Sequence, residues 1–207
     1  MGKERFLFFT AFFFIILVLS LPAQEEDEPG DIPVESDWSE FMPALYTRGD
    51  QTFNISLGPI IPVLFLGPSG TLTNNAKLGG TGSLAYNYFL GPHVFVGGEL
   101  GIMYCATLAK NNLFMVPFGL RIGYQWIFKR FEFPLTLMAG GIPRRYQDYD
   151  YFGLIIKPSA SAFFRFNTDW SFGLSAAWWW VPEWTSNKAE NVNGNFLDII
   201  LSARYHF

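Results

Sequence analysis

The amino-acid sequence predicts an all-β protein, an eight-stranded antiparallel up-and-down β-barrel that crosses a membrane. Only 15% of the 207 residues are charged and 19% are aromatic, whereas a soluble domain carries about 25% charged residues. No apolar run after residue 22 approaches the roughly 20 residues that a membrane-spanning helix needs. From residue 52 onwards, apolar and polar side chains alternate with the period of two that is typical of strands. A closed barrel is the remaining structure that pairs its whole backbone within lipid.

The first 23 residues have the features of a cleaved secretory signal peptide. Lys3 and Arg5 precede an apolar run over residues 6–21, and Leu21-Pro22-Ala23 is an acceptable cleavage site. The alternative is a retained anchor helix, which the shortness of the apolar run disfavours. The segment is therefore excluded from the predicted fold.

Residues 24–50 are predicted to form an acidic periplasmic segment ahead of the barrel at 51–207. They hold nine acidic side chains against the single base Arg48, with several prolines between them. Such a composition is typical of a disordered tail or linker. A basic footprint is absent from the chain, so no nucleic-acid partner is expected.

Eight segments follow the strand period, each bounded by turn residues. The predicted strands are 52–65, 78–90, 94–106, 113–127, 131–142, 152–166, 170–181 and 195–207. In the last strand, for example, Leu197, Ile199 and Leu201 lie on one face, and Asp198 and Ser202 lie on the other. Five prolines fall inside these strands, and each should mark a bulge or a gap in the ladder. They are Pro59, Pro62, Pro117, Pro134 and Pro158.

The connections alternate between short and long, which is the pattern of outer-membrane barrels. The short turns are 91–93, 129–130 and 167–169, and the longer polar connections are 66–77, 107–112, 143–151 and 182–194. A two-residue turn at 129–130 places Trp126 opposite Phe133, and a three-residue turn at 167–169 places Phe166 opposite Trp170. Both pairs then share the apolar face, so the turn lengths support the strand assignments.

Alternation alone does not say which face points inward, because a lipocalin-like soluble barrel has the same period with its apolar face inside. The polar face here is rich in Gly and Ser, which suits a narrow eight-stranded lumen. The apolar face ends in aromatic side chains near both rims, as expected at two lipid–water interfaces. The prediction is therefore that the apolar face contacts lipid.

The C-terminal sequence 201–207 ends in Phe207, with Tyr205 and other apolar residues at alternate positions before it. This pattern resembles the C-terminal signature that the outer-membrane assembly machinery reads. Together with the signal peptide and eight strands, the chain resembles small outer-membrane barrels, most closely the OmpW type, with OmpX and OmpA barrels as relatives. The resemblance implies a hydrophobic channel with a sideways exit into the bilayer, whereas the long acidic segment departs from the family pattern.

The predicted lumen divides into charged and apolar parts. The charges expected to pair inside it are Glu99, Arg121, Glu132, Lys157, Arg165, Asp198 and Arg204. In an antiparallel hairpin whose turn is centred near residue 110, the residue numbers of opposite positions add up to 220. Glu99 and Arg121 satisfy this sum, so they are expected to lie opposite each other. Above this charged layer, near the long loops, an apolar mouth is expected from Ile60, Met103, Met115, Met138, Ile142, Ile155, Trp179 and Phe196.

An apolar mouth above the charged layer suits the capture of small hydrophobic molecules. The first functional hypothesis is therefore a narrow channel or binding site for such molecules. The alternative is a non-transporting structural or surface-interaction barrel that acts through its extracellular loops. Arg144, Arg145, Tyr146, Tyr149, Tyr151 and Trp184 would form its contact surface. We expect no enzymatic activity, because no histidine lies in the long loops, and no cofactor or metal, because His93 and His206 have no ligand cluster around them.

Phe207 is expected to carry assembly information rather than stability. Because Phe207 and Tyr205 should face lipid at the periplasmic interface, where aromatic rings are favoured, deleting Phe207 should lower the yield of inserted barrel. The stability of the barrel that has already inserted should change less. Quantifying outer-membrane yield and heat-modifiability of the inserted fraction tests this, and equal yields for the deletion and the wild type would contradict it.

Overall fold

The computed structural model describes residues 46–67, 70–72, 76–106, 112–146, 149–182 and 191–207. The predicted signal peptide and most of the acidic segment lie outside the described residues. Within the described part of the chain, no helix is long and apolar enough to cross a membrane.

The described residues form ten antiparallel strands. They are β1 (Gln51–Gly67), β2 (Gly70–Leu72), β3 (Gly79–Phe89), β4 (Val94–Ala106), β5 (Asn112–Met115), β6 (Phe118–Phe128), β7 (Phe131–Tyr146), β8 (Tyr149–Arg165), β9 (Trp170–Val181) and β10 (Asn193–His206). β5 and β6 both pair with β4 and with β7, so together they occupy one position in the wall. β2 is a short strand that pairs with the end of β1. The wall therefore has eight positions, and the predicted fold class is confirmed.

Pairing between the first and last strands closes the ring. Phe53 lies opposite Tyr205 and Leu57 opposite Leu201, and the ladder continues to Thr52 opposite His206 at the chain end. The Phe207 amide also donates to the Gln51 carbonyl at 3.0 Å. Closure leaves neither terminal strand as an open edge, which is what a sheet in lipid requires.

The apolar face of the wall points outward, as predicted. Leu57, Leu120 and Leu201 are 71%, 78% and 70% exposed, whereas the lumen-facing Gln125 and Glu132 are fully buried. A soluble barrel with its apolar face inside is therefore excluded. The outward face is the surface that lipid covers in a membrane barrel.

Aromatic rings gather on the outer surface near the end that carries the short turns 129–130 and 167–169, called here the short-turn end. The Trp170 and Tyr205 rings lie 5.0 Å apart, and Tyr205 and Phe207 are also 5.0 Å apart. Trp126 lies opposite Phe133 as the turn length predicts. The Phe166 amide donates to the Trp170 carbonyl, which fixes the second turn. The opposite end, with the longer connections, is called the long-loop end.

Each of the five in-strand prolines coincides with an irregularity in a ladder. On β1, pairing with β10 is interrupted at Pro59, and the register shifts between Pro62 and Leu64. Pro134 is missing from the β7–β8 ladder and Pro158 from the β8–β9 ladder. Pro117 separates β5 from β6, so the single strand predicted at 113–127 is wrong at this point. The common cause is that proline has no amide hydrogen to donate.

The predicted loop 143–151 is also wrong, because most of it is strand. β7 and β8 stay paired up to Tyr146 opposite Tyr149. The ladder between β8 and β9, by contrast, reaches only Ile156 opposite Trp180. The upper part of β7 and β8 therefore extends as a hairpin beyond the level where β8 last pairs with β9 among the described residues.

Candidate functional site

The lumen of the barrel holds buried polar and charged groups, arranged in layers along the axis. The lowest layer, at the short-turn end, centres on the fully buried carboxylate of Glu132 from β7. Arg204 of β10 donates to Glu132 Oε2 at 2.9 Å, and Arg165 Nη1 of β8 lies 3.5 Å from Oε1. Gln125 of β6 donates to Oε2 at 3.3 Å. Burying a carboxylate is costly unless it is paired and hydrogen-bonded, and Glu132 is both.

Tyr46 completes this layer, although it precedes the first strand. Its ring stacks on Phe89 with centroids 3.9 Å apart and an interplanar angle of 3°. Its hydroxyl donates to Glu132, with distances of 3.1 and 3.0 Å to the two oxygens, and lies 3.0 Å from His206 Nδ1. Sequence reasoning missed Tyr46 because it lies in the acidic segment, where no strand alternation marks an inward position.

His206 joins Tyr46 to Ser171. Because the Tyr46 hydroxyl gives its hydrogen to Glu132, a hydrogen on His206 Nδ1 would donate to the phenol oxygen. His206 Nε2 lies 2.7 Å from Ser171 Oγ on the other side of the ring. Tyr46, Glu132, His206 and Ser171 are all buried.

The middle layer holds two acids and two bases that balance in charge. Glu99 accepts from Arg121 at 3.1 Å and from Lys157 at 2.7 Å. Lys157 also lies 3.5 Å from Asp198, and Asp198 accepts a hydrogen bond from Trp179 Nε1 at 2.6 Å. Glu99 is thus the bridge between Arg121 and Lys157, and the layer carries no net charge.

The register between β4 and β6 differs from the expected one by two residues. Glu99 lies opposite Gly119, and Arg121 lies opposite Gly97, so the paired positions sum to 218 rather than 220. The two charged side chains still meet, because residues diagonal to each other across a ladder remain within reach of long side chains. Sequence reasoning could not locate the centre of the turn within the connection 107–112.

The apolar part of the lumen is lined by buried side chains that contact one another. All eight residues expected to form an open mouth belong to one packed cluster, and each is at most 2% exposed. Cys105, Ala177 and Val181 complete the cluster, and Phe65 and Leu113 pack against it. These side chains contact one another within the long-loop end of the barrel.

Met138 does not lie above the charged layer, contrary to the prediction. It pairs directly with Arg121 across β6–β7 and with Lys157 across β7–β8. Its thioether therefore shares a level with the two cations.

The two residues assigned to the assembly signal lie at the short-turn end. Phe207 is 64% exposed, and its ring contacts the Tyr205 ring on the outer surface. Among the described residues, no group of three or more His, Cys, Asp or Glu is placed to hold a metal ion.

Comparison with other sequences finds a family and relatives. A model of an uncharacterised protein family matches residues 25–205. An uncharacterised protein of Treponema pallidum (strain Nichols) is 30% identical over 170 residues, which are 77% of this chain and 78% of that protein. A second uncharacterised protein of the same strain is 25% identical over 139 residues, and the match spans 60% of this chain and 48% of that protein.

Comparison with solved structures finds outer-membrane barrels. Neisserial surface protein A has a TM-score of 0.54 at 8% identity, with 77% of this chain and 97% of that chain covered. OprG of Pseudomonas aeruginosa has a TM-score of 0.50 at 9% identity, with 78% and 97% covered. Ail, the attachment invasion locus protein of Yersinia pestis, has a TM-score of 0.50 at 13% identity, with 78% and 100% covered. At such low identity these likenesses show the fold alone.

The Glu99 bridge should contribute strongly to stability. Glu99→Gln removes the charge that Arg121 and Lys157 share, and breaking a buried ion pair on one side costs about 3–5 kcal/mol. Urea unfolding in lipid vesicles, followed by tryptophan fluorescence, measures this loss. Asp169→Asn is the matched control, because Asp169 is exposed in a turn. Equal unfolding free energies for Glu99→Gln and Asp169→Asn would contradict the role of the bridge.

Proposed function

The chain belongs to the uncharacterised protein family that matches residues 25–205. From its barrel fold and the packing of its lumen we propose an outer-membrane protein with a closed lumen. In this proposal the barrel does not conduct solutes and acts through its extracellular rim. It reaches the outer membrane through a cleaved signal peptide, and the assembly machinery inserts it by reading Tyr205 and Phe207. Catalysis, cofactors and metals have no part in the proposed function.

The packing of the lumen is the observation that carries the proposal. Tyr46 and the Glu132 network fill the short-turn end, the Glu99 bridge spans the middle, and the apolar cluster fills the long-loop end. Trp179 joins the last two parts, since its ring packs in the cluster and its Nε1 donates to Asp198. Eight strands leave an interior that side chains can fill completely, and the contacts at these three levels support a closed lumen here.

The extended hairpin of β7 and β8 is the part of the described rim best suited to contact another molecule. Its backbone is held in a ladder from Pro143 opposite Phe152 to Tyr146 opposite Tyr149. The sequence places the aromatic and arginine residues of the predicted contact surface on this hairpin, and such residues are enriched at protein interfaces. Trp184, the remaining member of that surface, lies outside the described residues. The proposed partners are host molecules or neighbouring surface molecules.

A second candidate function is binding of small hydrophobic molecules, which the resemblance to OmpW-type barrels implies. Two observations favour it. The apolar cluster contains Met103, Met115 and Met138, and methionine side chains repack easily around a ligand. The β1–β10 ladder is also interrupted beside this cluster, at Pro59 and Pro62. Under this candidate the cluster opens to admit a ligand, and kinship with OmpW-type barrels is part of the same proposal.

Electrical recording separates a closed barrel from an open one. We expect the wild-type barrel in planar lipid bilayers to give no conductance steps above those of the bare bilayer. The physical reason is that a lumen packed with the Glu99 bridge and the apolar cluster would offer ions no continuous aqueous path. Sustained open steps from the wild type would overturn the closed-lumen proposal.

Placing a carboxylate in the apolar cluster tests the second candidate. Ile142 is the suitable position, because it is fully buried and pairs with Gly153 rather than with a cation. If the lumen is closed, ¹⁹F NMR line broadening of fluorobenzene is equal for the wild type, Ile142→Asp and the control Ile142→Val in matched detergent. If the wild type and Ile142→Val broaden the line and an assembled Ile142→Asp does not, hydrophobic binding is the better account. The physical reason is that an apolar ligand would bury the unpaired carboxylate introduced at position 142 away from water, which is costly.

Shortening the hairpin tests the role of the rim. Replacing residues 144–151 with Asn-Gly keeps a two-residue turn that suits an antiparallel hairpin, and it removes no residue of the apolar cluster. We expect the shortened barrel to assemble with wild-type heat-modifiability and to bind cultured host cells less than the wild type when both are displayed on liposomes. Undiminished binding by the shortened barrel would contradict the assignment of function to this hairpin.

A further inference from the structure

The Tyr46 side chain occupies a pocket that fits a phenol on both of its faces. Phe89 stacks parallel to one face of the ring at 3.9 Å. The guanidinium of Arg165 lies 5.3 Å from the ring centroid, within the range in which a cation is attracted to an aromatic face. Phe95 supports Phe89 from behind, with centroids 5.3 Å apart. The pocket therefore recognises a flat, electron-rich ring.

The hydroxyl of Tyr46 is recognised as specifically as the ring. Glu132 accepts its hydrogen, and a hydrogen on His206 Nδ1, 3.0 Å from the phenol oxygen, would donate to that oxygen. A donor and an acceptor placed together around one oxygen match a phenol, whereas a benzene ring would leave both Glu132 and His206 without this partner. Ser171 holds the far side of the imidazole and so fixes its orientation.

The backbone that follows Tyr46 is attached beside the same pocket. Thr47 and Asp50 close a turn in which the Thr47 amide donates to the Asp50 carboxylate at 2.8 Å. Gly49 adopts a φ of 107° at this turn, a conformation that favours glycine. The Gly49 amide donates to the Phe89 carbonyl at 3.0 Å, and the Phe89 amide donates to the Asp50 carbonyl at 2.9 Å. Ring and turn thus hold the same end of β3.

We propose that the short-turn mouth of the barrel is a phenol-binding site, and that Tyr46 fills it as a ligand tethered within the same chain. The chemical class that it takes is a para-substituted phenol, of which the tyrosine side chain is one. Occupation by Tyr46 latches residues 46–50 to the barrel. The tether makes the event intramolecular, so that a free phenol competes only at millimolar or higher concentration.

The latch protects a single cleavable bond. Arg48 is the only base between residues 24 and 50, and it lies in the turn that follows Tyr46. A protease must pull a segment into an extended conformation, so cleavage after Arg48 reports release of the latch. The new N-terminus at Gly49, identified by mass spectrometry of the full-length protein in detergent, measures this cleavage apart from any cleavage in the loops.

Two variants and a control test the latch. Tyr46→Phe keeps the stacked ring and loses the hydroxyl. We expect trypsin to cleave this variant after Arg48 about tenfold faster than the wild type. The reason is that a hydrogen bond to a charged group shifts the equilibrium between bound and released Tyr46 by at least that factor. Tyr46→Ala should be cleaved faster still. Tyr86→Phe is the matched control, since the Tyr86 hydroxyl donates to Gln51 on the exposed surface, and it should behave as the wild type. Unchanged cleavage in both Tyr46 variants would overturn the latch.

Chemical rescue tests the binding site itself. In Tyr46→Ala, 4-methylphenol should raise the thermal midpoint of the barrel, and toluene at equal concentration should raise it less, whereas the wild type should respond equally little to both. Protection of Arg48 should stay lost, because a free phenol fills the pocket without restoring the tether. Equal effects of 4-methylphenol and toluene would show that no phenol site exists. Should Tyr46→Ala fail to assemble, loss of protection in Tyr46→Phe remains the deciding measurement, and retained protection there refutes the role of the hydroxyl.

Discussion

Closure of the sheet between β1 and β10 is the constraint on which the other features depend. A membrane offers the backbone no hydrogen-bond partner, so each strand must pair on both sides. Once eight wall positions form a ring, the period of two assigns alternate residues to lipid and to the lumen. The outward surface consequently takes apolar side chains. Polar side chains must be accommodated in an interior too narrow to hydrate them, and their arrangement follows from that lack of space.

Charge pairing is the consequence of the narrow lumen. Glu132 is shared between Arg204 and Arg165, and Glu99 between Arg121 and Lys157. Each acid therefore serves two strands other than its own. One pair of each acid joins strands that are not neighbours, β7 with β10 for Glu132–Arg204 and β4 with β8 for Glu99–Lys157. Arg204 also lies 3.8 Å from the Phe163 ring centroid, which gives the guanidinium an aromatic neighbour in addition to its carboxylate.

The sequence predicts features that depend on local periodicity, and it fails where one long-range contact decides. The strands, the lipid-facing side and the pairing of Trp126 with Phe133 follow from alternation and from a turn of known length. The β4–β6 register does not follow from the sequence, because the connection 107–112 has no motif that fixes the centre of the turn. Polarity predicts a loop where the upper β7–β8 hairpin lies, since polar residues are also common in strands that rise beyond the apolar belt. Tyr46 depends on a pocket assembled from β3, β7, β8 and β10, which no local pattern near residue 46 could reveal.

The position of the proline interruptions determines how mechanical load would pass through the barrel. Both Gln51 and His206 lie at the short-turn end, so tension on either terminus acts first on the β1–β10 ladder there. That part is continuous from Thr52 opposite His206 to Leu57 opposite Leu201, whereas the interruption at Pro59 and the register shift after Pro62 lie farther along. If the strands are pulled in shear, the hydrogen bonds of the continuous ladder share the force. If the strands are peeled apart, these bonds must open one after another before the force reaches the interrupted stretch at Pro59 and Pro62. The β1–β10 ladder is therefore strongest near the chain ends, and the intact part of the ladder protects the interrupted part from the force.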